Sequence, residues 1–230
     1  MRIIFVRHGH PNYKDDCLTP LGHRHAEAAA IRLQDESVQK ICASTCGRAI
    51  ETANHIAAKH GLAVETFDFM REISWGGIHG ESIPFGGHPW DTADDMAQKS
   101  QTLMDPNWAQ IPPFSNNKIC SQVEQVGKDF DIWLADFGYV REGEFYRVRR
   151  CNSDTIMMVS HGGSSSAVLS HLLNLPFPFV CNVIRSDFTS ITVLQMDGSE
   201  NSLISPKIEI LTDARHIAGI TTDQIKEDSL

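Results

Sequence analysis

The chain predicts an α/β fold, a three-layer α/β/α sandwich around a mostly parallel sheet, and three observations carry that expectation. The first is the alternation of short apolar runs with helical patterns over the first 70 residues, the signature of right-handed crossovers. The second is a repeated strand ending: Ile3-Ile4-Phe5-Val6 leads into Arg7-His8-Gly9, and Ile156-Met157-Met158-Val159 leads into Ser160-His161-Gly162-Gly163. The third is that short Ile, Val, Phe and Met runs bounded by glycine suit strands buried on both faces.

The elements follow in order. Thr19 reads as a helix cap with Pro20 at the first helical position, and the Ala-rich stretch to Leu33 continues that helix. Lys40 to Ala43 reads as a strand, Gly47 to His60 as a helix closed by Gly61, and Leu62 to Phe67 as a third strand. Between Gly76 and Cys120, glycines and prolines mix with Trp90 and Trp108. A long irregular segment in a compact α/β domain points to a functional cap, expected at about 81–120 within a single domain spanning 1–230. A helix over Ser121–Phe137, a hairpin turning at Glu142-Gly143, the strand into His161, a helix over Ser165–Leu173 and a strand over Ser190–Gln195 complete the pattern. The polar residues from about Thr221 are expected to fray.

Composition narrows the function classes. A net charge of −9 argues against nucleic acid as a bulk electrostatic partner. No apolar stretch reaches the length of about 18 residues that a membrane span needs. The chain starts directly on a strand, and its six cysteines include no Cys-x-x-Cys pair. The expectation is a cytoplasmic protein in a reducing compartment. His23 with His25, and His55 with His60, lack a carboxylate or cysteine constellation at ligand spacing, so no metal is expected.

The strand ends carry the chemistry. In open α/β sheets ligands bind outside the carboxyl ends of the strands, so His8 and His161 are expected to face one another there. After Ile41-Cys42-Ala43, a turn enters a helix with Arg48 in its first turn, where unpaired N–H groups favour anions. Arg7, Arg48, His8 and His161 together make a small positive pocket suited to a phosphoryl group, since arginine pairs bidentately with phosphate oxygens. A neutral imidazole can attack phosphorus and hold the group as a phosphohistidine, with the arginines and a protonated His161 stabilising the transition state. Glu72, following the third strand, is placed to protonate the leaving oxygen and then to activate water.

These blocks resemble the histidine phosphatase superfamily, also called phosphoglycerate mutase-like. Arg7-His8-Gly9 is similar to its signature triplet. Ser44 to Ala53 is similar to its Ser-x-x-x-Arg-Ala-x-x-Thr-Ala block, and Ser160-His161-Gly162-Gly163 to its second-histidine block, continued by Leu172-Leu173-Asn174-Leu175-Pro176. Glu72 falls on the family's proton donor, upstream of Gly76 and Gly80. The resemblance runs from residue 1 to about 215. It implies His8 as the phosphorylated nucleophile, Arg7, Arg48, His161 and the Gly162 N–H as phosphate ligands, and no cofactor. His10 and Asn12 are expected to add substrate contacts, and Trp90, His79 or His88 to read the leaving group.

Two departures point to the phosphatase branch. The loop His10–Cys17 is short, with Lys14 where an Asn usually sits, and Ser166 stands where the family often has Arg. Between Glu81 and Asn117 the one Lys or Arg is Lys99, which gives a phosphomutase little to hold a second phosphate. The sequence therefore predicts a metal-independent phosphomonoesterase acting on a small phosphorylated metabolite. A phosphomutase and a non-catalytic phospho-ligand module are the alternatives, and a homodimer is left open.

Overall fold

The computed structural model describes residues 1–221, and the tail expected to fray lies almost wholly outside the described residues. The chain runs through β1 (Arg2–Arg7), a small ribbon of β2 (Pro11–Asn12) and β3 (Cys17–Leu18), and α1 (Pro20–Leu33). It continues with β4 (Lys40–Ser44), α2 (Gly47–His60), β5 (Val64–Phe67), α3 (Pro89–Gln98) and α4 (Ile119–Asp136). After the hairpin β6 (Tyr139–Glu142) and β7 (Phe145–Val148) come β8 (Thr155–Ser160), α5 (Gly162–Leu173) and α6 (Phe177–Val183). The described chain closes with β9 (Ile191–Gln195), β10 (Leu203–Ile204) and β11 (Lys207–Asp213).

The main sheet has the order β11-β9-β1-β8-β4-β5. Pairings β1–β8, β8–β4 and β4–β5 are parallel, while β9 and β11 extend the β1 side antiparallel. The two-residue period of the strands sorts side chains between two cores. Ile3, Phe5 and Met158 face α4, α5 and α6 with Phe130, Leu134, Val168 and Phe177. Ile4, Val6, Met157 and Val159 face α1 and α2 with Ala30, Leu33, Ala53 and Ile56. This burial of β1 and β8 on both faces is what the unbroken apolar runs encode.

The caps form as the sequence implies. Thr19 Oγ1 accepts from Gly22 N–H at 3.1 Å with Pro20 at the first helical turn, and Gly61 ends α2 in the left-handed region at φ 63°. Helix α5 starts at Gly162, three residues earlier than expected, directly behind His161. The edge strand β11 has no counterpart in the sequence reading. Its Ile208, Leu211 and Lys207 are exposed, so it lacks the buried run that marks the central strands. The segment between β5 and α4 holds one regular helix, α3, which packs on α6. No described helix is long and apolar enough to cross a membrane.

Candidate active site

The parallel arrangement of β1 and β8 pairs Arg7 with Ser160, so the residues that follow, His8 and His161, leave the sheet side by side. Both rings are buried, and their centroids lie 5.0 Å apart. His8 Nδ1 lies 2.7 Å from its neighbour's carbonyl, Gly9 O, so Nδ1 carries the proton and donates. That tautomer leaves Nε2 with a lone pair, toward which Arg48 Nε donates at 3.4 Å. Burial, reinforced by the charges of Arg7 and Arg48, pushes the His8 pKa down to about 3, so the ring is neutral across the physiological range.

Glycine follows His8 because the backbone of α1 crosses there. A β-carbon on Gly9 would stand 2.5 Å from Gly22 O, closer than any real side chain tolerates. Gly163 answers a different neighbour, since a β-carbon there would meet Glu72 Oε1 at 2.5 Å. Gly162, the glycine directly after His161, is not so confined: a β-carbon there would meet Trp90 Cζ2 at 3.6 Å and Arg7 Nε at 3.7 Å, ordinary contacts.

His161 Nε2 lies 2.8 Å from Ser44 Oγ, at the carboxyl end of β4, and Cys46 N–H donates to the same hydroxyl. Burial, followed by the presence of His8, Arg48 and Arg7, pushes His161 down to about 2. The expectation of a standing imidazolium is corrected here: a buried ring between cations is held neutral. Its Nδ1 is buried and has no hydrogen-bond partner among the described residues, and the same holds for Arg7 Nε.

Arg7 is fixed by a loop that sequence reasoning missed. Its Nη1 donates to Ser186 O at 2.5 Å and its guanidinium lies 4.5 Å from the Phe188 ring centre. Phe188 also packs against His8 and His10. Arg48 is held by Asp16, whose carboxylate accepts hydrogen bonds from Arg48 Nη1 and, at 2.8 Å, from the Gly47 N–H. Partial burial opposes ionisation of Asp16, yet the Gly47 N–H and Arg48 outweigh it and hold its pKa below the usual range. The N-terminus of α2 is therefore occupied by a carboxylate of this chain, where the sequence suggested a free anion site. Asp16→Ala is expected to raise KM for a phosphomonoester about tenfold with a smaller change in kcat, because Arg48 loses its anchor. Steady-state kinetics with phosphate as competitive inhibitor checks this, and an unchanged KM would show that Asp16 does not position Arg48.

Glu72 stands after a short turn, Asp68–Met70, that follows β5. Its Oε1 accepts from the N–H groups of Gly163 at 2.9 Å, Ile73 at 3.1 Å and Ser164 at 3.3 Å. Burial raises its pKa and prevails over Arg7 and these N–H donors, which act the other way. The first turn of α5 thus orients the acid, and Gly162 supplies wall beside Arg7 Nε.

Arg7, Glu72 and Gly162 open into a cavity of about 410 Å³, whose other walls include Trp75, Trp90, Asp91 and Arg185. His88 and Trp90 line it as expected from the sequence. His79 does not: its N–H is bound to Glu81 Oε2 at 2.7 Å and its side chain is not among the lining groups. Asn12 spends its amide on Asp15 and on the Lys14 N–H, knitting its own turn, and His10 Nδ1 meets Thr19 Oγ1 at 2.9 Å. Neither lines the cavity. Tyr13, Arg185, Ser186 and Asp187 do line it and were not singled out from sequence, where a loop tyrosine and the residues after α6 carry no local signal. Among the described residues no group of three or more His, Cys, Asp or Glu side chains is arranged to hold a metal ion.

This combination of fold and strand-end side chains defines an α/β protein with two buried histidines and two arginines gathered at the carboxyl ends of its central strands. Residues 3–108 match the model of the histidine phosphatase superfamily (branch 1). A relative from Hydrogenobacter thermophilus, named "Putative phosphoserine phosphatase 2", is 26% identical over 212 residues, covering 88% of this chain and 93% of that protein. "Probable phosphoglycerate mutase GpmB" of Yersinia pestis is 25% identical over 185 residues, 76% of each chain. The crystal structure of a phosphoserine phosphatase from Entamoeba histolytica in complex with 3-phosphoglyceric acid shares the fold, with a TM-score of 0.62, 20% identity, and coverage of 94% of this chain and 98% of that one.

Proposed function

We propose that this protein hydrolyses small phosphomonoesters through a phosphohistidine on His8, without a metal. The observation that carries the reading is the state of His8: Nδ1 tied to Gly9 O, Nε2 bearing the lone pair, and the ring held neutral beside Arg7 and Arg48. In the first step Nε2 forms a bond to phosphorus while the ester oxygen departs and takes the proton of Glu72. Arg7 Nε and His161 Nδ1, both buried beside His8 and without hydrogen-bond partners among the described residues, supply hydrogen bonds to the phosphoryl oxygens as charge spreads over them. For His161 this needs the proton on Nδ1, which follows when the Ser44 hydroxyl donates to Nε2. In the second step Glu72, now ionised, takes a proton from water, whose oxygen attacks phosphorus and releases His8 Nε2 with its lone pair. Phosphate leaves with the site restored.

The mutase alternative needs further cations for a second phosphate. Outside the phosphoryl centre the cavity has one guanidinium, Arg185, and Asp94 already engages it, which favours hydrolysis. The six unpaired cysteines fit a cytoplasmic setting. Hydrolysis of p-nitrophenyl phosphate in excess chelator, with rapid acid-free denaturation to trap labelled enzyme, tests the reading. Turnover that persists in chelator, and label that is acid-labile and stable to alkali, are expected of a phosphohistidine. Chelator-abolished activity, or acid-stable label on a serine, would overturn it.

A further inference from the structure

The cavity beside Arg7 has a charge distribution that the phosphoryl chemistry does not account for. Apart from Arg7 and Glu72 at its phosphoryl end, its walls carry three carboxylates, Asp91, Asp94 and Asp187, against the one further guanidinium of Arg185. Arg185 is spent within the protein: its Nη2 is bound to Asp94, whose other carboxylate oxygen accepts from Asn182 Nδ2 at 2.8 Å. Asp91 lies 2.9 Å from His88 Nδ1. The exposed Asp187 carboxylate makes no hydrogen bond or ion pair among the described residues and acts on Arg7 only through its field.

The same walls are aromatic. Trp75 and Trp90 meet edge to face with ring centres 6.1 Å apart, and His88 lies 5.1 Å from Trp75 and 5.3 Å from Trp90. Indole faces attract cations, and a carboxylate nearby adds to that attraction. An alcohol bearing a carboxylate or a second phosphate would meet like charge here, and a neutral one would leave Asp187 unanswered. An ammonium group satisfies both the indoles and Asp187.

We infer that the alcohol released by this enzyme carries a positively charged nitrogen, held by Trp75, Trp90, Asp91 and Asp187. The inference rests on the phosphatase reading and names the substrate class within it: phosphomonoesters of ammonium-bearing alcohols. The positive phosphoryl end of the site and its acidic far wall would match the two ends of such a zwitterion.

The test compares three esters of similar size on the full chain: choline phosphate, neohexyl phosphate, in which carbon replaces the charged nitrogen, and carboxyethyl phosphate. The expected order of kcat/KM is choline, then neohexyl, then carboxyethyl, with about tenfold between the first two, the selectivity a close charge pair supplies. Asp187→Asn and Trp90→Leu should each lower the choline-to-neohexyl ratio about threefold or more, a readout that a general loss of stability would not move. Neohexyl phosphate turned over as well as choline phosphate, or a ratio indifferent to both variants, would overturn the inference while His8-dependent hydrolysis still stood. No hydrolysis of these esters or of p-nitrophenyl phosphate would overturn the phosphatase reading and this inference with it.

Discussion

His8→Ala is expected to lower hydrolysis by on the order of 10⁴-fold and to abolish acid-labile labelling altogether, because it removes the attacking nitrogen itself. Binding should survive, since Arg7 is anchored by the Ser186 carbonyl and Arg48 by the Asp16 carboxylate, and neither bond involves the imidazole. Inorganic phosphate should therefore still protect the variant against thermal unfolding, as any ligand selective for the folded state does. The fold should also survive: the strand end is held by the His8 backbone N–H on Ser160 O at 2.9 Å and by Gly9 N–H on Thr52 Oγ1 at 3.1 Å. His8→Asn, which keeps a polar planar group in place, should be equally inactive. Turnover retained in either variant would remove His8 from the mechanism.

Glu72→Gln should divide the two half-reactions. The amide keeps an oxygen for the N–H groups of Gly163, Ile73 and Ser164, so the local structure is preserved while the transferable proton is lost. An alkyl phosphate, whose leaving oxygen is strongly basic, needs that proton, and its hydrolysis should fall by about 10²- to 10⁴-fold. p-Nitrophenolate leaves without protonation, so labelling by that ester should continue while release by water stalls and phosphoenzyme accumulates. The pH profile of the native enzyme follows from the same groups. His8 must be neutral, and its pKa of about 3 places the acid limb there. Glu72 must be protonated for the first step, and its raised pKa extends activity upward from the ordinary carboxylate range before it falls with ionisation. An alkyl ester should show that alkaline limb more sharply than the nitrophenyl ester. Equal loss for both esters, with no accumulating label, would assign Glu72 a structural role instead.

Much of this site was legible before the fold was known. Arg7, His8, Arg48 and His161 were placed together by the ends of three buried strands, and the structure brings them together. The strand runs betray themselves because a strand buried on both faces has no polar alternation, and Thr19-Pro20 and Gly61 fix helix ends through local backbone chemistry. Asp16 was not legible as the anchor of Arg48, because 32 residues of chain separate them and nothing local records that pairing. The loop at 185–188 escaped notice for the same reason: its role toward Arg7 depends on a contact spanning 179 residues. His79 was drawn toward the pocket by its place after Glu72, yet the turn spends its backbone on Glu81 and keeps it out of the wall.

The division is a physical one. Burial periodicity, caps and strand-end residue types are properties of neighbouring residues, so the sequence by itself determined the α/β class, the central strands and which side chains meet at their ends. The protonation states of those side chains were set only in the folded molecule. Burial pushed His8 and His161 down and Glu72 up, opposite to what His161 was expected to do, because desolvation depends on everything packed around a group rather than on its neighbours in the chain. The charge of the cavity wall was likewise decided by tertiary structure, which folds Asp91 of α3 and Asp187 of a distant loop around one cavity.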